Sequence, residues 1–195
     1  MYFCSGNHQA KNMNPTPKNL DWKTLKSEYL FRRPWLTARR DTCEMPDGRI
    51  NDEYYVLEYP TWVHVVAVTK EGRMVIIRQY RHGLGRTCYE IVAGCAEDGE
   101  DPLEAAKREL QEETGYTGGE WREAMTFSCN ASAMNNLTHS YVAVGVELTD
   151  TQHLDATEDI EVYTFTPDEV KDMLLRGEFM QASMLAALYK YFSGM

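Results

Sequence analysis

The run Gly94-Cys-Ala-Glu-Asp-Gly-Glu100-Asp-Pro-Leu-Glu-Ala-Ala-Lys-Arg108-Glu109-Leu110-Gln-Glu112-Glu113-Thr-Gly115-Tyr116 decides how the rest of the chain is read. Its second half predicts a helix over Pro102 to Thr114: Asp101 is an N-cap, Pro102 takes the first helical position and Gly115 stops it. Residues three and four apart share a helix face, so Glu109, Glu112 and Glu113 project within about 100° of one another. Leu103, Ala106 and Leu110 lie on a different line and supply an apolar stripe for packing on a sheet. Like-charge crowding of this kind costs a few tenths of a kcal/mol per pair. Arg108 reaches Glu104 or Glu112 at i±4 but does not neutralise the group. A solvated acidic face is the ordinary meaning of such a run. The other meaning is a cation site, because hard ions such as Mg²⁺ prefer oxygen ligands and bind through a few carboxylates together with substrate phosphates. These residues suit that chemistry better than a histidine-lined or thiolate site.

Working outward, Cys88 to Ala93 reads as a short apolar strand closed by Gly94. Upstream, Arg39 to Met45 and Ile50 to Leu57 read as a hairpin around Asp47-Gly48. A second hairpin pairs Trp62 to Val68 with Met74 to Tyr80, both rich in β-branched and aromatic residues. Downstream, strands are expected at Glu120 to Cys129, Ser140 to Leu148 and Ile160 to Thr166. Helices are expected at Pro167 to Arg176 and Gln181 to Phe192, the latter packing Met184, Leu185, Leu188 and Tyr191. The expected class is α/β (α+β): a mixed sheet sandwiched between helices, preceded by an antiparallel hairpin extension. The division expected is a flexible tail (1–20), a β extension (21–59) and a main domain (60–195).

At 195 residues, with 43% hydrophobic and 26% charged, the chain has the composition of one globular domain. A formal charge of −10 opposes binding to nucleic acid or anionic lipid. No apolar run is long enough to span a bilayer, and the polar start lacks an export signal. Cys4, Cys43, Cys88, Cys95 and Cys129 are odd in number and scattered, which suits reduced thiols and a cytoplasmic location.

The whole segment from Gly94 resembles the Nudix box: Gly, five residues, Glu, seven residues, Arg-Glu, an aliphatic residue, any residue, Glu-Glu, any residue, Gly, and a last aliphatic residue. Gly94, Glu100, Arg108, Glu109, Leu110, Glu112, Glu113 and Gly115 all fall in place, with Tyr116 the one departure. At an average usage of about one in fifteen, such agreement arises by chance on the order of once in 10⁹ windows. Arg78-Gln-Tyr-Arg81, Tyr89-Glu90-Ile-Val-Ala93, Glu158-Asp-Ile-Glu161 and Gln181-Ala-Ser are similar to the ADP-ribose pyrophosphatase branch of that family.

The resemblance implies a Nudix fold and metal-dependent cleavage of the pyrophosphate link in a nucleoside diphosphate sugar such as ADP-ribose. Glu109, Glu112, Glu113 and the Ala93 carbonyl would hold Mg²⁺ or Mn²⁺. Arg108 would act with these glutamates, and Gly94, Glu100 and Gly115 would support the site. Arg81 would contact phosphate, Glu90 would assist nearby, and Trp35, beside Arg32 and Arg33, would stack on a base. The branch commonly forms homodimers through its N-terminal strands, so a homodimer is expected. The loop Ser128 to Thr138 lacks the family's water-activating glutamate. Glu112 is the expected proton acceptor, with Glu158, Glu161 and metal-bound hydroxide as alternatives. The donor-rich loop itself, through Asn130, Asn135, Asn136 and His139, is a candidate contact for a sugar or base. Two other functions fit the same residues: a nucleotide-sugar sensor without catalysis, and a Nudix hydrolase of a coenzyme, a dinucleoside polyphosphate or a damaged nucleoside triphosphate.

Overall fold

The computed structural model describes residues 18–33 and 35–194, so most of the expected tail lies outside the described residues. The main sheet rests on two strands that start as a hairpin and then part. Strands β4 (Trp62–Thr69) and β5 (Met74–Arg81) are in register only at Val68↔Met74, next to their turn. In the gap between them run β6 (Arg86–Glu90) and β7 (Val92–Cys95): β6 pairs with β5, and β7 pairs with β4. The single strand expected over Cys88 to Ala93 is therefore two strands, because the chain changes partner at Ile91. The physical reason is non-local. A splayed pair leaves two open edges, and one segment satisfies the backbone groups of both.

Beyond β7 comes the helix α1 (Pro102–Thr114), with the bounds its capping residues predict. The Asp101 side chain accepts from the Leu103 and Glu104 N–H groups, and Gly115 closes the helix at a φ of 75°. A side chain at Gly115 would run into the Asp150 carbonyl, so the sharp exit requires glycine there. The chain turns directly into β8 (Tyr116–Phe127), four residues earlier than the sequence predicts, followed by β9 (Thr138–Leu148) and β10 (Ile160–Phe165). The strand order is β10-β5-β4-β9-β8, with β4 and β9 parallel and the other pairs antiparallel, so the sheet is mixed.

Alternate residues of the sheet pack opposite layers. Val63, Val65, Val92 and Ala143 meet Ala105, Ala106 and Leu110 of α1 on one face. Val66, Ile76, Ile91 and Val142 meet α2 (Pro167–Leu175) and α3 (Ala182–Phe192) on the other. Met184 and Leu188 are fully buried, and Leu185 and Tyr191 are partly so, as the helical spacing predicts.

The N-terminal extension has three strands, not two: β1 (Lys23–Arg33), β2 (Leu36–Glu44) and β3 (Ile50–Glu58) form a separate antiparallel sheet. Every residue of β1 is exposed, so it carries none of the burial alternation by which strands are read from sequence. The loop between β8 and β9 clasps this sheet. Leu57 N–H donates to the Ala133 carbonyl at 2.7 Å, Asn135 N–H to the Leu57 carbonyl at 3.2 Å, and Tyr54 Oη to the Ser132 carbonyl at 2.6 Å. No helix among the described residues is long and apolar enough to cross a membrane. Cys43, Cys88, Cys95 and Cys129 are free thiols.

Candidate active site

The open side of α1 faces a cleft of about 500 Å³. Arg108, Glu109, Glu112 and Glu113 line it from the helix, Ala93 to Glu97 from β7 and its loop, Arg81 from β5, and His153, Asp155 and Glu158 from the loop before β10. Trp35 lines it from the β1–β2 connection. Of the residues expected to bind metal or substrate or to act in catalysis, all but Glu90 line this cleft.

Arg108 organises one side. Its guanidinium donates to Glu100 at 3.0 and 2.9 Å, to Glu109 at 3.0 Å, to Glu112 at 2.8 Å and to the Cys95 carbonyl at 2.9 Å. The Glu100 carboxylate also accepts from Glu97 N–H, so helix and loop are tied through one cation. Glu104, the other expected partner, bonds Lys107 instead. Hydrogen bonding to Arg108 holds the Glu100 carboxyl below its usual range.

The other carboxylates are less well offset. Burial pushes Glu109 up despite Arg108. Glu113 is only 4% exposed, and burial, reinforced by the charge of Glu109, drives it well above the usual carboxylate range. Ala93 N–H donates to Glu113 at 3.2 Å and Cys95 N–H to Glu109 at 3.2 Å, which fixes β7 against the acidic face. A Cβ placed on Gly94 would fall within the Glu109 carboxylate, so glycine is what lets the strand lie there.

Arg81 and Glu90 form a buried pair. Arg81 Nε and Nη2 donate to the two Glu90 oxygens at 2.8 and 2.5 Å, and Glu90 is 1% exposed. A guanidinium has five N–H donors. The fork uses two of them, and the rest have no partner among the described residues on this partly exposed side chain. The sequence reads Glu90 as a minor polar neighbour; its geometry makes it the anchor of Arg81.

Trp35 is 82% exposed, an unusual state for tryptophan, and stands at the cleft without a packing role. Arg32 turns away and lies over the Tyr29 ring at 3.6 Å. The loop from Ser128 to Thr138 does not line the cleft; it is held on the extension, and Asn136 Nδ2 donates to the Pro60 carbonyl. Of its candidate sugar or base contacts, Asn130 accepts from Ser132, Asn135 accepts from Tyr59 N–H and His139 bonds Thr126, while Asn136 Oδ1 has no partner among the described residues. Of the acids outside the helix, Glu158 lines the cleft, whereas Glu161 points outward and pairs with Arg78 at 2.7 Å. Gln152 Nε2 donates to the Glu113 and Ile160 carbonyls and His153 N–H to the Glu112 carbonyl, which dock the Glu158 loop on the end of α1.

Sequence reasoning missed His153, Asp155 and Glu97 in the cleft, and His64 beside it. His64 is the one polar residue in the strand Trp62 to Val68, a signal that was available. Burial, and then the charge of Arg81, push its ring down to about 4, so it is neutral at physiological pH.

Residues 59–188 match the NUDIX domain and residues 22–57 match the nucleoside diphosphate sugar hydrolase N-terminal domain. The chain belongs to the Nudix hydrolase family. It is 31% identical to an ADP-ribose pyrophosphatase of Bacillus subtilis (strain 168), over 88% of this chain and 92% of that one. A methanol dehydrogenase activator of Bacillus methanolicus is 33% identical over 78% of this chain and 82% of its own length. A solved ADP compounds hydrolase superposes with a TM-score of 0.79 at 22% identity, covering 91% of this chain and 96% of that one.

Nudix hydrolases generally need a divalent metal. Among the described residues, no three acidic, histidine or cysteine side chains converge on a single point as they stand. Arg108 and the β7 amides occupy carboxylate oxygens of Glu109, Glu112 and Glu113. The donor chemistry nevertheless fits a hard cation. Three carboxylates line one cleft, and two of them are driven toward their neutral forms by burial and by the charge of a neighbouring glutamate.

Proposed function

We propose that this chain hydrolyses the pyrophosphate bond of a nucleoside diphosphate sugar, ADP-ribose or a close analogue, to a nucleoside monophosphate and a sugar phosphate, using Mg²⁺ or Mn²⁺. The observation that carries this reading is the shared cleft, which sets three box glutamates opposite a tethered arginine, with an exposed tryptophan at the same opening. The names of similar proteins in the family support the substrate class.

Glu109, Glu112 and Glu113, with the Ala93 carbonyl, would hold the cation. When bound it supplies charge neutralisation for the diphosphate and acidifies attacking water. Arg81, fixed by Glu90, contacts a phosphate oxygen with its remaining N–H groups. Arg108 and Glu100 position the carboxylates, and Gly94 and Gly115 give the backbone close approach and a sharp exit. Trp35 stacks on the nucleobase.

Water attacks one phosphorus, the bridging P–O bond breaks, and the leaving phosphate takes the electron pair. Glu158 is the group we assign to accept the water's proton. Glu112 is tied to a permanently charged Arg108, whereas among the described residues Glu158 accepts only from Asp155 N–H, at 3.0 Å, and lines the cleft from a docked loop. Residues 21–59 serve as an extension to a catalytic domain over 60–195. The apolar side chains left bare on β1, Leu25, Tyr29, Leu30 and Phe31, support a homodimer built on that sheet.

The test is product chromatography with Mg²⁺ or Mn²⁺ over ADP-ribose, other nucleotide sugars, dinucleotides and nucleoside triphosphates, with Glu109→Gln as the control. Formation of AMP and ribose phosphate, abolished in the control, is expected. Tight binding of a nucleotide sugar without cleavage would make the chain a sensor instead.

A further inference from the structure

Beside the cleft lies a recess of about 200 Å³ lined by Trp62, His64, Arg81, Ala93, Gly94, Cys95 and Gln181. Arg81 and the three β7 residues line both spaces, so the two adjoin at this strand. The recess is on the α3 side of the sheet. His64 alternates with Val63 and Val65, which pack against α1, and its strand neighbour in register is Ser140 of β9.

Three polar atoms on this side lack partners among the described residues, and one of them, on His64, belongs to the recess lining. His64 Nδ1, Ser140 Oγ and Ser183 Oγ, the last in the first turn of α3, make no hydrogen bond, although their residues are 2%, 0% and 7% exposed. An unsatisfied buried polar group costs about 1–3 kcal/mol. Several together are a large cost against a total stability of about 5–15 kcal/mol. At about 30 Å³ per water, the recess holds about seven waters. That is too much room for a single structural water and too little for a whole nucleotide, whose ligand-sized sites run from about 300 Å³ upward.

The chemistry of the walls narrows the occupant. A neutral imidazole and a primary amide each both donate and accept, which matches hydroxyl groups. A phosphate only accepts, so it would leave the accepting atoms of the imidazole and amide unmet, and the remaining N–H groups of Arg81, the one cation of this lining, are those assigned above to the diphosphate. An apolar group would leave His64 Nδ1 stranded. Trp35 already offers a stacking surface for the base at the cleft, and Trp62 offers a ring face here.

We propose that this recess seats the sugar of the nucleoside diphosphate sugar, with its hydroxyls bonded by His64 and Gln181 and its ring against Trp62. This rests on the function proposed above and sets the substrate's order in the site: base at Trp35, diphosphate across Arg81 and the acidic helix, sugar behind β7. Selectivity for the group beyond the diphosphate then lies in β4 and the start of α3, outside the box.

The test compares kcat/KM for ADP-ribose with that for the β-methyl ester of ADP, which keeps the diphosphate but has no sugar. It uses the full-length chain with Mn²⁺. Two hydroxyl contacts worth about tenfold each predict a preference of about 100-fold for ADP-ribose. His64→Phe, similar in shape but unable to hydrogen-bond, and Gln181→Ala are each expected to cut that preference about tenfold, through KM. Gln181 is half-buried at the helix start, so its variant decides the matter even if His64→Phe fails to fold. Equal cleavage of both esters by wild type, or an undiminished preference in the Gln181→Ala protein, would overturn the assignment while leaving the proposed function standing. Cleavage of neither ester would overturn both.

Discussion

Substituting Gly94 by alanine tests the contact on which the acidic helix and β7 depend. The φ of Gly94 is not in the left-handed region, so alanine suits the backbone there. The obstacle is a single group: the new Cβ would overlap the Glu109 carboxylate. An ordinary carbon contact is about 3.5–4.0 Å, so the carboxylate has to retreat by about 1 Å or more. In doing so it gives up the Cys95 N–H at 3.2 Å and the Arg108 Nη1 contact at 3.0 Å. Because the displaced atoms end a flexible side chain, the fold should lose only about 1 kcal/mol, or about 2–4 °C in Tm. Catalysis should suffer far more, since about 1 Å of misplacement at a reacting centre costs on the order of 10²-fold. The assay is AMP formation from ADP-ribose at saturating Mg²⁺, beside a thermal melt. A Gly94→Ala protein within threefold of wild-type kcat would refute the idea that Glu109's position matters to the chemistry.

Glu113→Gln should behave in the opposite way in the metal-free protein. A buried carboxyl raised above its unfolded value destabilises the fold as pH rises past the unfolded value, so the neutral amide should raise Tm at pH 8 by about 2 °C or more while hydrolysis collapses. Added Mn²⁺ should stabilise wild type and leave the variant nearly unmoved in the same melts. His64 acts at the acid end. Its folded value of about 4 lies below the unfolded 6.5, so stability is full above 6.5 and falls by up to about 3 kcal/mol as pH drops through 4, a loss that His64→Phe should remove in urea titrations. Trp35→Ala, at an exposed position, should leave Tm within about 1 °C but raise KM about tenfold or more if the ring stacks on a base. An unchanged KM would end that role.

Local signals carried the helix and its chemistry. Asp101, Pro102 and Gly115 set the ends of α1 through capping that needs nothing beyond their neighbours. The glutamate spacing likewise set which carboxylates share a face. What was not legible depends on distant chain. The break at Ile91 exists because β4 and β5 diverge. β1 escaped notice because a wholly exposed strand has no alternation to read. The Ser128 to Thr138 loop looks like a ligand loop by composition, and only its bonds to Leu57, Tyr54 and Pro60 show where its polar groups go. Glu158 and Glu161 are equivalent candidates in sequence, yet one lines the cleft and the other meets Arg78 outside it.

The change of partner at Ile91 also bears on how this molecule tolerates altered spacing. Glu90 bonds along β5 and Ala93 along β4, with Ile91 and Val92 between them facing opposite layers. Strand side chains alternate with a period of two, so one residue added or removed here would reverse everything on one flank. The arginine's tether and the glutamates' neighbour would then no longer open on the same space. Surface turns elsewhere have slack for insertions, while this two-residue bridge acts as the molecule's ruler, and its length is a constraint that any redesign has to inherit unchanged.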